Sequence, residues 1–186
     1  MIFVSFTSAY FVRQGLPTLD PRTDALVHDW IPVRLPKLLL INTCVLLVSS
    51  LTMALARRRV VREAVLVRGG SFPGTSVGHE PRISWLTLTV FLGLSFLTMQ
   101  WLAWRELAAG GFYVDTSPSS SFVYLLTGMH GVHLIGGVVA LMVAGTASLL
   151  RRPVSSRLVI VDVTGWYWHF MAILWVYILC LLEFAR

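Results

Sequence analysis

The sequence predicts an all-α membrane protein, a polytopic helix bundle with four full transmembrane helices and a short or truncated helix at the N-terminus. Three observations carry that expectation. Of the 186 residues, 56% are hydrophobic and only 13% are charged, whereas a soluble domain has about 25% charged residues. The apolar residues gather into four runs, 38–56, 84–104, 122–150 and 158–184, each near the roughly 20 residues that cross a bilayer as a helix. Arginines stand at the boundaries of those runs, where topology signals belong. Within lipid every backbone polar group must be paired inside the protein, so continuous apolar runs of this length read as helices. A single membrane domain covers 1–186.

The same totals exclude other classes. A net charge of +6 can mark a nucleic-acid partner, but here the arginines lie between apolar runs. They read as topology signals and as contacts to anionic lipid headgroups, with no nucleic acid implied. Cys44 and Cys180 stand alone in different runs, so no disulfide or metal framework is implied. No phosphate-binding glycine loop, nucleophile elbow or catalytic carboxylate pair is present.

The first run, residues 1–12, is apolar but reaches only about 18 Å as a helix, against roughly 30 Å of hydrocarbon. It reads as the second half of a helix whose first half is absent or lies upstream of Met1. Residues 13–36 form a polar loop punctuated by Pro17, Pro21, Pro32 and Pro36, with Trp30 suited to an interface. The span 38–56 carries Asn42, Thr43, Cys44, Ser49, Ser50 and Thr52, and Arg57-Arg58-Arg59 stops it. A basic cytoplasmic loop, 57–83, follows. The span 84–104 ends at Arg105 and Glu106. After a turn-rich loop from Gly110, Ser119 to Ser121 offer an N-cap for the next helix. The span 122–150 would reach about 43 Å, so it tilts or protrudes. Arg151-Arg152-Pro153 ends it, and 158–184 is the last span. Of the fifteen Lys and Arg residues, nine lie in 57–83 and 151–157. The positive-inside rule then puts those segments in the cytoplasm and the C-terminus outside, in a bacterial-type inner (plasma) membrane.

The stretch Thr127-Gly-Met-His-Gly-Val-His133 sets two imidazoles inside a membrane-spanning run. An ionisable residue at that depth is a functional-site hypothesis. His130, His133 and His169 lie on adjacent helices and offer donors for a metal or a haem. Against this, an i,i+3 histidine pair cannot flank one iron, and Asp162 is the only acid near enough to orient a ring. Hydrogen bonding across helices or to a partner subunit is the favoured reading. Asp162, Trp166 and His169 align along one helix face. That face reads either as a proton relay or as an anchor reaching headgroups or Arg157, the anchor being favoured. Gln100 is the strongly polar residue deep in its span and reads as an interhelical hydrogen-bond partner. Gly128, Gly131, Gly136, Ala140, Ala144 and Ser148 read as close-packing positions. Trp166 and Trp168 read as lipid-facing or interfacial aromatics.

At Thr127-Gly-Met-His-Gly-Val-His133 and Trp166-Tyr-Trp-His-Phe170 the chain resembles subunit III of the haem-copper cytochrome c and quinol oxidases, in both residues and spacing. Weaker likenesses lie at Ala9-Tyr10-Phe11, at Leu35-Pro36 with Asn42-Thr43 and Ser49-Ser50, and at Phe91-Leu-Gly93 through Gln100. The resemblance is to the short form that lacks the first two helices. It implies a non-catalytic subunit that packs on subunit I and supports proton uptake and stability of an O2-reducing, proton-pumping complex. It also implies no catalytic, cofactor or metal site in this chain. Haems and copper would sit in partner subunits, and bound phospholipid is the remaining non-protein component. Three departures stand out. The glutamate of the family's corresponding first helix would precede Met1, Ala103 replaces a frequent glutamate, and Ala172 replaces a frequent aspartate; Asp162 matches an acidic position. Two alternatives stay open, namely an accessory or assembly protein of the same fold, as associated with nitric oxide reductase, and a haem-binding membrane anchor.

Overall fold

The computed structural model describes residues 2–19, 26–27, 36–68, 85–113, 117–150 and 154–184. Five helices hold nearly all of them: α1 (Ile2–Gly15), α2 (Leu38–Arg68), α3 (Trp85–Ala109), α4 (Pro118–Leu149) and α5 (Val154–Phe184). Helices α2 to α5 are each long and apolar enough to cross a membrane. Between α1 and α2, a two-residue antiparallel ladder pairs β1 (Thr18–Leu19) with β2 (Leu26–Val27). The polar loop expected over 13–36 did not anticipate this ladder. Trp30, Pro21 and Pro32 lie outside the described residues.

The helix ends show which local signals decide. α2 runs through Arg57-Arg58-Arg59 to Arg68, twelve residues past the expected stop at 56. Arginine, alanine, glutamate and leucine all favour the helix, and the first breaker in the sequence is Gly69-Gly70. The arginines thus end the apolar stretch without ending the helix, and 57–68 is helical rather than loop. Similarly, α3 continues through Arg105 and Glu106 to Ala109. It closes in a Schellman turn, in which the Phe112 amide donates to Leu107 O (3.2 Å) and the Gly111 amide to Ala108 O (3.0 Å). Gly111 supplies the required positive φ of 84°.

α4 begins earlier than expected, because its N-cap is Ser117 and not one of Ser119 to Ser121. The Ser120 amide donates to Ser117 Oγ (3.3 Å) and the Ser117 amide to Ser120 Oγ (3.2 Å). This is a reciprocal capping box, with Pro118 in the first helical position where its missing N–H costs nothing.

Helices α2, α3, α4 and α5 pack in a closed ring in that order, and α1 lies against α4. Successive helices run antiparallel. The start of α2 meets the end of α3 at Asn42 and Gln100, while its far end meets the start of α3 at Arg59 and Trp85. The centre of the ring is filled by Leu46, Met53, Phe96, Leu134, Leu141, Trp168 and Trp175, all fully buried. A second cluster, with Tyr10, Leu126 and Ile178, seats α1.

Candidate functional site: the polar rungs between helices

Nearly every seam of the bundle carries a hydrogen bond between side chains. On the α2–α3 seam, Asn42 Nδ2 donates to Gln100 Oε1 (3.2 Å), and Thr52 Oγ1 lies 2.9 Å from Thr89 Oγ1. On the α2–α5 seam, Trp175 Nε1 donates to Thr43 Oγ1 (2.9 Å) and Trp168 Nε1 to Ser49 Oγ (3.2 Å). Ser50 Oγ bonds His169 Nδ1 on the same seam, and Arg57 forms an ion pair with Asp162. Between α3 and α4, Trp104 Nε1 donates to Thr127 Oγ1 (3.0 Å). On the α4–α5 seam, Tyr167 OH donates to the His133 carbonyl (2.9 Å).

The three histidines are not brought together. His130 is fully buried, with its ring 5.0 Å from Trp175 and 5.9 Å from Phe96 by centroids. Neither of its ring nitrogens has a hydrogen-bond partner among the described residues. His133 turns outward to α1, edge-on to Phe3 at 5.6 Å. Its Nδ1 lies 2.8 Å from Met129 O, and because a carbonyl only accepts, Nδ1 carries the proton. His169 turns to α2. Three residues along a helix are about 60° apart in projection, enough to send His130 into the core and His133 to its edge.

Asp162 pairs with Arg57, and both side chains are about half exposed. The anticipated partner Arg157 instead donates to Glu63 (2.5 Å). The Ser50–His169 contact joins a hydroxyl to an imidazole, as a nucleophile and base would be joined. An acid orienting the ring is the usual third member; the nearest acid in sequence, Asp162, is held by Arg57. Gln100 is buried and meets Asn42.

One of the packing positions shifts by a residue, from Gly136 to Gly137. Gly137 lies against the Trp168 and Tyr167 rings, where an added Cβ would come within 3.1 Å of both. Gly136 is exposed, and the nearest atom to its Cβ position is Tyr167 Oη at 3.9 Å. Nothing lies within 4 Å of that position at Gly131, and Gly128 makes ordinary contact with Trp104 at 3.7 Å. Ala144 is buried and Ala140 half-buried, and the Ser148 side chain lies outside the described residues.

Trp166 is exposed, as a lipid-facing aromatic would be, but Trp168 is wholly buried and belongs to the core. Its position is explained by Gly93, which stands outside the expected packing positions. Gly93 lets the indole approach so closely that a Cβ would sit 2.8 Å from Trp168 Cη2. Small residues at such crossings and polar side chains across them are how helices associate where lipid removes the hydrophobic drive.

The chain matches the family "Cytochrome c oxidase subunit III" over residues 1–184. It is 30% identical over 181 residues to the cytochrome c oxidase subunit 3 of Branchiostoma lanceolatum, which takes in 95% of this chain and 61% of that protein. Identity to the cytochrome c oxidase subunit 3 of Triticum aestivum is 26% over 185 residues, 96% of this chain and 61% of that one. With the probable cytochrome c oxidase subunit 3 of Mycobacterium tuberculosis H37Rv it is 29% over 102 residues, 55% of this chain and 50% of that one. The chain therefore spans between half and two thirds of the length of these relatives.

Proposed function

The chain belongs to the cytochrome c oxidase subunit III family, and from that premise we propose that it is a non-catalytic membrane subunit of a haem-copper oxidase, packed beside the catalytic subunit I. Its part is to stabilise the O2-reducing, proton-pumping complex and to support proton uptake into it. The observation that carries the reading within this chain is how its polar groups are used. Indoles, hydroxyls, amides and imidazoles meet across seams instead of converging on one reacting centre. Haem and copper belong to partner subunits in this reading.

The Arg57–Arg68 end of α2 and the α4–α5 turn face the cytoplasm of a bacterial-type plasma membrane, and the C-terminus lies outside, by the arginine bias. A bound phospholipid is supported by a groove of about 440 Å3 between the start of α2 and the end of α5. Leu39, Leu40, Leu179 and Phe184 offer it apolar walls, and Lys37 and Glu183 lie at the same end.

Native mass spectrometry of the complex purified from its own membrane tests the assignment. This chain should be retained in the mature oxidase, with no haem of its own. Loss from the mature enzyme would point to an assembly factor, and a stoichiometric Soret band on the isolated chain to a haem anchor. His133→Ala should weaken retention in the complex more than it lowers initial turnover. The reverse order would place chemistry at this residue.

A further inference from the structure

Asn42 and Gln100 form an amide pair buried between α2 and α3, 0% and 3% exposed. Their single hydrogen bond uses one N–H and one carbonyl. A primary amide has two N–H groups and two acceptor sites, and here Gln100 Nε2 and Asn42 Oδ1 are left without a partner among the described residues. A small cavity opens beside Gln100, between Leu39 of α2, Ala103 of α3 and Thr127 of α4. It offers about 10 Å3 to the centre of a water-sized sphere, close to the smallest space that holds one water. Thr127 Oγ1 accepts from Trp104 Nε1 and donates to Val123 O. A hydroxyl has two acceptor sites, so one remains.

We propose that this cavity is a binding site for one water molecule, held by Gln100 Nε2–H and by the free acceptor site of Thr127 Oγ1. Water is the ligand that fits. The space admits nothing larger, one wall supplies a donor and another an acceptor, and a buried amide N–H left unpaired costs more than fixing a water does. The water ties α3 to α4 beside the amide pair that ties α2 to α3. Three helices then share one polar junction towards the end of the bundle where α2 and α4 begin.

The test is a map of the protein in its native assembly, at a resolution that shows ordered waters. A peak within hydrogen-bond distance of both Gln100 Nε2 and Thr127 Oγ1 is expected. An empty cavity with the two amides paired reciprocally, or a side chain filling the space, would overturn the proposal.

Two variants give a second reading that does not depend on the map. Ala103→Ser adds one polar atom at the cavity wall, and Ala103→Cys adds one largely apolar atom. With water present, the serine hydroxyl substitutes for it and the melting temperature of the assembly holds. The cysteine displaces it, orphans the amide and lowers the melting temperature by a few degrees. In a dry cavity the order reverses, with cysteine the more stable of the two, and that order would refute the site.

Discussion

Gly93→Ala should destabilise the bundle, although alanine is the better helix former. The added Cβ would stand 2.8 Å from Trp168 Cη2, 3.1 Å from its Cζ2 and 3.3 Å from Val138 Cγ2. Carbon atoms in good contact lie about 3.5–4.0 Å apart, so the indole must retreat by roughly 1 Å. It has nowhere to go. Its adjoining Cζ3 and Cε3 atoms rest on Gly137, its Nε1 is committed to Ser49, and the ring is wholly buried.

Overpacking of this kind costs about 1–3 kcal/mol, and straining the Ser49 bond adds up to about 1 kcal/mol. Against this stands a helix gain of about 0.5–1 kcal/mol, so the net loss spans about 0–3.5 kcal/mol, with about 2 kcal/mol at mid-range. The control is Gly131→Ala, where no atom lies within 4 Å of the new methyl and only the helix gain remains. Thermal denaturation of the purified protein, followed by far-UV circular dichroism, compares the two variants with the parent. A double-mutant cycle with Trp168→Phe, which removes the atoms that the methyl meets, should recover about 1 kcal/mol or more as coupling. If Gly93→Ala matches Gly131→Ala, or if the cycle shows no coupling, the glycine–indole contact is not what seats Trp168 in the centre of the ring.

Three further outcomes follow from the same geometry. Gly137→Ala should cost stability through the two rings at 3.1 Å, while Gly136→Ala, one residue away with nothing nearer than 3.9 Å, should leave the melting temperature unchanged or raised. His130→Phe replaces two unpartnered ring nitrogens by carbon in a pocket of Phe96 and Trp175. It should raise stability by about 1 kcal/mol, and a loss of stability in the intact complex would mean that the imidazole has a partner there. Asp162→Asn should cost at most about 1 kcal/mol, because both members of its pair with Arg57 are about half exposed. Repeating that measurement in high salt should shrink the effect further.

The four spans were legible because hydrocarbon thickness and backbone pairing leave little choice once the apolar runs are long enough. Their ends were less so. Arg57 to Arg59 mark where the chain leaves the apolar layer, but a helix need not stop there, and α2 continues to the Gly69 breaker. Ser117 was readable as the α4 cap from the proline that follows it, a stronger signal than the three serines beyond. Which face of each helix turns inward was the illegible part. In a soluble helix the polar face marks the outside. In α5 the polar residues Asp162 and His169 turn to α2 and mark no outside, so Trp166 and Trp168 look alike in sequence although one is exposed and the other wholly buried. Gly136 and Gly137 pose the same problem. Two consecutive glycines point about 100° apart, and only the position of Trp168 decides between them.

The polar residues of α2 held a register that composition alone hides. Thr43, Ser50 and Arg57 are spaced by seven and meet Trp175, His169 and Asp162 on α5. Asn42 and Ser49, also spaced by seven, meet Gln100 and the Thr89 carbonyl on α3. A seven-residue repeat drifts only about 20° on a straight helix, so both stripes stay on their seams only where α2 crosses its neighbours at a small angle. In lipid, an interhelical hydrogen bond contributes on average only about 0.6 kcal/mol. No single rung therefore holds the bundle, and the rungs matter chiefly for fixing register. Sliding α2 by one residue would set Cys44, Leu51 and Arg58 on the α5 seam. Trp175 and His169 would lose the hydroxyls they have now, while Asp162 would exchange one arginine for the next.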